Sequence, residues 1–170
     1  MQFDSTWDAP SFFSRLNASN LLARAHSFTF CRVSGLDGFE EALGGLQSVA
    51  NFLCVSDIDN GYTELNNTPR TRRVKTVFLA MRHPIDDMTA RQQCMDVMRE
   101  LFRQFMSVLM QERTRLSESF IYLDPRITFN EVDRYFFSGC ACAYFQIAVD
   151  VFTDLSFRPA EWASAGDGQQ

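Results

Sequence analysis

Between Asp87 and Leu116 the apolar positions recur every three to four residues. Cys94, Met98, Leu101, Phe105 and Leu109 form one line, and Val97, Phe102 and Val108 widen it. Arg99, Arg103, Gln104 and Gln111 fill the opposite side, while Met95, Met106 and Met110 make a second, flanking apolar line. No Gly or Pro interrupts the stretch. The spacing predicts one long amphipathic helix over about 87–116, lying across a sheet with Met98, Leu101 and Phe105 buried. Thr89 with Gln92 three residues on has the form of a capping box, and Asp86 and Asp87 suit the positive end of the helix dipole.

Period-two patterns frame that helix. Residues 26–34 alternate, with Phe28 and Phe30 on one side and Thr29, Cys31 and Val33 on the other, which predicts a strand covered on both faces. Residues 51–58 and 74–82 predict two more, the latter central in its sheet. Asn60-Gly61 signals a tight turn, with residues 62–65 folding back as a hairpin partner and residues 66–73 forming a polar loop. The last third reads as strands near 120–123, 126–138 and 141–152. In the final one Ala143, Phe145, Ile147, Val149 and Val151 face away from Tyr144, Gln146, Ala148, Asp150 and Phe152. Pro10 opens an N-terminal helix over 10–25 that Asn17, Ser19 and Asn20 weaken, and a short helix is expected over 39–49. The fold class is α+β: a mainly antiparallel sheet packed by the long helix and the N-terminal helix. One domain spans 1–155, and a small, polar tail over 156–170 is expected to be flexible.

At 170 residues the chain is long enough to bury a real core. Its 17 Phe against 4 Tyr and 2 Trp favour dry packing, because Phe has no hydrogen-bonding handle. The net charge of −5 argues against general or sequence-specific nucleic-acid binding, which needs a positive field over the phosphates. The first eight residues have neither a basic start nor an apolar segment. No stretch reaches the roughly 18 apolar residues of a membrane helix. A cytoplasmic protein with no membrane partner is expected. The five cysteines, odd in number and irregularly spaced among apolar neighbours, read as buried free thiols. Asn17-Ala18-Ser19 and Asn66-Asn67-Thr68 match the glycosylation pattern by chance in a chain read as unexported.

Candidate chemistry is sparse. His26 and His83 stand at strand ends with no serine elbow to serve. Cys140 and Cys142 share a strand face but have no second pair to complete a four-ligand metal site. Asp57, Asp59 and Glu64 around Gly61 have the wrong spacing for a calcium loop, and Gly44-Gly45 lacks the remainder of a phosphate loop. Glu131 and Asp133, with Asp150 opposite them, could do acid–base work only in a cleft that separates their pKa values, so a solvated face or a subunit contact is the reading adopted. Arg70, Arg72 and Arg73 form the one dense basic cluster, expected in a loop where it would meet an acidic partner. No catalytic, cofactor-binding or metal-ligating residue is assigned. The candidate interaction surface is Arg70, Arg72, Arg73, Glu131, Asp133 and Asp150.

The order of elements is similar to that of the small tail-terminator and tail-completion (head–tail joining) proteins of long-tailed bacteriophages, over roughly residues 10–155 and most closely in the late strand from Tyr144 to Val151. The resemblance is one of element order, with no residue motif behind it. It implies a non-enzymatic adaptor without cofactor that assembles as an oligomeric ring with itself and other virion proteins. Surplus apolar area on both faces of the last strand points the same way, since one helix can cover only one face of a sheet. The rival readings are a small-ligand enzyme or binding module of the hotdog type, whose long helix comes earlier in the chain, and an accessory protein of a bacterial mobile element.

Overall fold

The computed structural model describes residues 7–34, 38, 41, 44, 45, 49–132 and 139–162. Helix α1 (Ala9–Ser19) and helix α2 (Leu21–Ala25) lead into β1 (Phe28–Val33), β2 (Asn51–Ser56), β3 (Asn60–Glu64) and β4 (Arg70–Arg82). The long helix α3 (Met88–Glu118) follows, then β5 (Ile121–Leu123), β6 (Phe129–Glu131), β7 (Cys140–Phe152) and a 3-10 turn at Pro159–Glu161. The expected helix over 39–49 falls largely outside the described residues. The architecture is α+β, as the hydrophobic pattern predicts.

The N-terminal helix breaks at Asn20, whose side chain caps α2 by accepting from Ala23 N (2.8 Å) and donates to Gln104 Oε1 (2.7 Å). Asn17 is nearly buried because its amide donates to the Phe28 carbonyl at 2.8 Å. At the start of α3 the cap is Asp87, which accepts from Ala90 N at 2.8 Å. The expected Thr89–Gln92 box therefore lies inside the helix. Phe120 ends α3 in the left-handed region (φ 58°), after Ser119 closes the last turn onto the Leu116 carbonyl.

Strands β4 and β7 are the spine, paired antiparallel from Arg70↔Phe152 to Arg82↔Cys140. The sheet order is β1-β2-β4-β7-β5, with β3 also on β4 and β6 also on β7. Among the described strands only β1–β2 is parallel, so the sheet is mixed. Each flank of the spine carries an interrupted strand. Val55 faces Val77 and Asn60 faces Val74, so residues 56–59 stand opposite 75 and 76 alone. Leu123 faces Val149 and Phe129 faces Phe145, so 124–128 stand opposite 146–148. Both gaps fall at one level, because Val77 pairs with Phe145 and Val74 with Ala148. Among the described residues the sheet is there two strands wide. Side chains fill the first gap: Ser56 Oγ accepts from Thr76 N (3.0 Å) and Lys75 Nζ donates to the Asp57 carbonyl (2.5 Å).

Two expectations in this region are corrected. Asn60-Gly61 is not a turn but the start of β3, where Gly61 lies so close to β4 that an added Cβ would sit 1.8 Å from the Arg72 carbonyl oxygen. The turn is at 65–69, where Asn66 Oδ1 accepts from Thr68 N at 2.9 Å. Arg70, Arg72 and Arg73 are likewise not in a loop: they open β4, paired on both sides.

The helices cover one face. Phe13, Phe105, Phe102 and Phe145 interlock there, with ring centroids 5.1–6.1 Å apart between α1, α3 and β7. Met98, Leu101 and Phe105 are at most 1% exposed, as the stripe predicts. The flanking methionines separate, Met95 fully buried and Met110 74% exposed. A smaller cluster of Val33, Phe52, Cys54, Phe78, Ala80, Cys140 and Cys142 lies on the other face.

Candidate interaction surface

Alternation along β4 divides the arginines. Arg70 and Arg72 share a face with Asp150 and Phe152 of β7, while Arg73 points to the helix-covered side. There Arg73 lines a cleft with Trp7, Arg32, Asp57, Asp59 and Lys75, and Lys75 Nζ lies 3.2 Å from Asp59 Oδ1.

On the outer face the register builds a row across four strands: Tyr62 of β3, Arg72, Asp150 and Tyr122 of β5. Arg72 Nη1 reaches Asp150 Oδ2 at 3.0 Å, and Nη2 bonds Asp124. The Asp124 carboxyl is held below its ordinary value, first by the Arg126 backbone N–H (2.9 Å) and then by Arg72. Asp124 in turn raises Arg72. The charge is thus neutralised within the chain. Beside this row Arg70 lies over the rings of Tyr122 (5.2 Å) and Phe152 (4.9 Å), and those rings meet edge to face at 6.1 Å.

The acidic candidates part company. Asp150 belongs to this row. Glu131 instead takes a two-pronged bond from Arg99 of α3, at 2.7 and 2.9 Å, and Asp133 lies outside the described residues. Of the candidate arginines, Arg72 meets an acidic candidate, Asp150, within one chain. Sequence reasoning missed Tyr62, Tyr122, Asp124 and Phe152. Alternation in β5 and β7 carried a signal for the last three, since polar and aromatic side chains recur there on the face away from the helix.

This end of the sheet is rich in exposed apolar side chains. Tyr62, Phe120, Tyr122 and Phe152 are 37–64% exposed, and every residue of β3 is exposed. Beyond β7 residues 154–162 form a hook bonded within itself, and the rest of the tail expected to be flexible over 156–170 lies outside the described residues. Arg158 bonds Asp154 and Glu161, and Phe157 stacks on Trp162 at 6.0 Å.

Elsewhere, His83 Nδ1 lies 2.8 Å from the Pro84 carbonyl oxygen and His26 closes α2. Cys54 and Cys142 are held protonated by the neighbouring thiols of Cys31 and Cys140 and by burial. Among the described residues no three His, Cys, Asp or Glu side chains are grouped to hold a metal ion, and no helix is long and apolar enough to cross a membrane. Neither a protein-family model nor a curated protein sequence matches the chain.

Proposed function

We propose that this chain is a non-enzymatic structural adaptor that assembles with copies of itself into a ring, in the manner of the phage tail-terminator and head–tail joining proteins whose element order it resembles. The observation that carries the reading is the outer-face patch of Tyr62, Arg70, Arg72, Tyr122 and Phe152, set across four neighbouring strands. Aromatic side chains and arginine are the residue types enriched at the centres of protein interfaces. Here the arginines are already held by carboxylates and rings, so little side-chain freedom remains to be lost on docking. Phe120 adds to the case. A phenylalanine held at φ 58° and 64% exposed gives up backbone stability for no burial of its own, as expected of a side chain kept for a contact.

The decisive measurement is mass in solution by light scattering across concentration. Assembly of the wild type, lost in Arg70→Glu and Tyr122→Ser variants whose thermal melts are unchanged, supports the reading. A wild type that stays monomeric at every concentration overturns it.

A further inference from the structure

The hook after β7 is polar-satisfied and apolar-exposed at once. Among the described residues every hydrogen bond and ion pair of residues 154–162 is made within the segment: Ser156 N to Asp154 (3.0 Å), Arg158 to Asp154 and Glu161, Glu161 N to the Arg158 carbonyl and Trp162 N to that of Pro159. Yet Leu155, Phe157 and Trp162 are 46%, 73% and 67% exposed. A segment that shapes itself and shows its large side chains to water is built as a knob.

A socket of matching character lies between α3 and the β5–β6 connection. Phe102, Met106 and Met110 of α3 face Leu123, Pro125 and Ile127 across a groove of about 340 Å³. Arg113 stands at its rim and makes no hydrogen bond or ion pair among the described residues. Asp124 also lines the groove but is already paired with Arg72, which leaves Arg113 as the unpaired charge there. The hook brings two carboxylates, Asp154 and Glu161, against one guanidinium, Arg158, so its surplus charge is opposite to that of Arg113.

We propose that the hook of one copy seats Phe157 and Trp162 in the groove between α3 and the β5–β6 connection of a second copy, with Asp154 and Glu161 facing Arg113. The proposal rests on the self-assembly reading above and names the surfaces that meet. Thr153 N bonds the Pro69 carbonyl (3.0 Å) and its hydroxyl bonds Thr71 (2.6 Å), so the chain leaves β7 on its β4 side, whereas the groove lies on its β5 side. A knob on one flank and a socket on the other is a head-to-tail contact, and repetition of it closes a ring or runs on as a filament.

Trp7 and Trp162 are the two indoles of the chain, so Trp7→Phe leaves Trp162 as the reporter. Its emission and the light-scattering mass are followed on the same samples across concentration. The expected result is an emission that moves to the blue in step with mass. Met110→Glu, at a side chain already 74% exposed, raises the concentration needed for both by at least about tenfold without changing the thermal melt. Particles that assemble while Trp162 stays water-exposed, or that assemble normally with Met110→Glu, overturn the docking and leave self-assembly standing. A blue emission already present in the monomer places the hook in its own groove and overturns the second copy. A water-exposed Trp162 in a chain monomeric throughout overturns both readings.

Discussion

Arg72 and Asp150 stand directly opposite one another on the two spine strands and meet at 3.0 Å, with Asp124 closing the triad from the end of β5. The three side chains are 23–27% exposed, so the triad is screened less than a surface pair. Arg72→Met leaves two carboxylates facing each other without their cation. The expected cost is about 1–3 kcal/mol in urea unfolding, falling to less than half in an Asp124→Asn, Asp150→Asn background where those charges are gone.

The same triad gives a pH dependence with a definite sign. The folded pKa of Asp124 lies below its ordinary 3.8, so the stability it contributes is fully present above 3.8 and is lost as pH falls through the depressed folded value. Urea midpoints measured downward from pH 5 therefore fall less steeply for Asp124→Asn than for the wild type. Equal slopes would remove Asp124 from the acid limb.

The start of α3 separates two caps. Asp87→Ala removes the bond from Ala90 N and is expected to cost about 1 kcal/mol in a thermal or urea melt. Thr89→Ala, one residue into the helix, is expected to lie within about 0.5 kcal/mol of the wild type. The reverse order would restore the Thr89–Gln92 box.

Along α3 the cost of truncation follows the face. Leu101→Ala opens a cavity in the core and is expected to cost about 2–5 kcal/mol, whereas Met110→Ala in the isolated chain is expected to cost no more than about 0.5 kcal/mol. Denaturant melts of the two variants check this difference.

These contrasts show where the fold was legible. A helix of 31 residues averages its signal over many turns, so its face was read correctly. Met95 and Met110 look equivalent on that helix, yet the first is fully buried and the second 74% exposed, a difference set by tertiary placement and not by helical spacing. Arg70, Arg72 and Arg73 resembled a solvated loop because, of the two strands that make them strand residues, β3 is near in sequence but weakly apolar and β7 comes only at the end of the chain. Asn60-Gly61 carried the composition of a turn, yet the missing Cβ at Gly61 serves the close approach of β3 to the Arg72 carbonyl. Of the six candidate surface residues, the period-two pattern could place Asp150 on the outer face. The division between Arg72 and Arg73 depended on knowing that they lie in a strand at all.

The narrowing of the sheet at Thr76 and Gln146 has a mechanical consequence. Above that level the spine is flanked by β2 and β6, and below it by β3 and β5. Between them no strand among the described residues pairs with β4 or β7 from outside, and single bonds such as Thr76 N to Ser56 Oγ (3.0 Å) and Asp124 N to the Ala148 carbonyl (2.9 Å) take the place of a ladder. A two-stranded ribbon twists more readily than a broad sheet. What braces the molecule at this level is the helix layer: α3 spans it, and Leu116, Ile121, Leu123 and Val149 below the interruption share one apolar cluster with Leu53, Val77, Phe105 and Phe145 above it, so a load on the aromatic end passes into the core and not along the sheet alone.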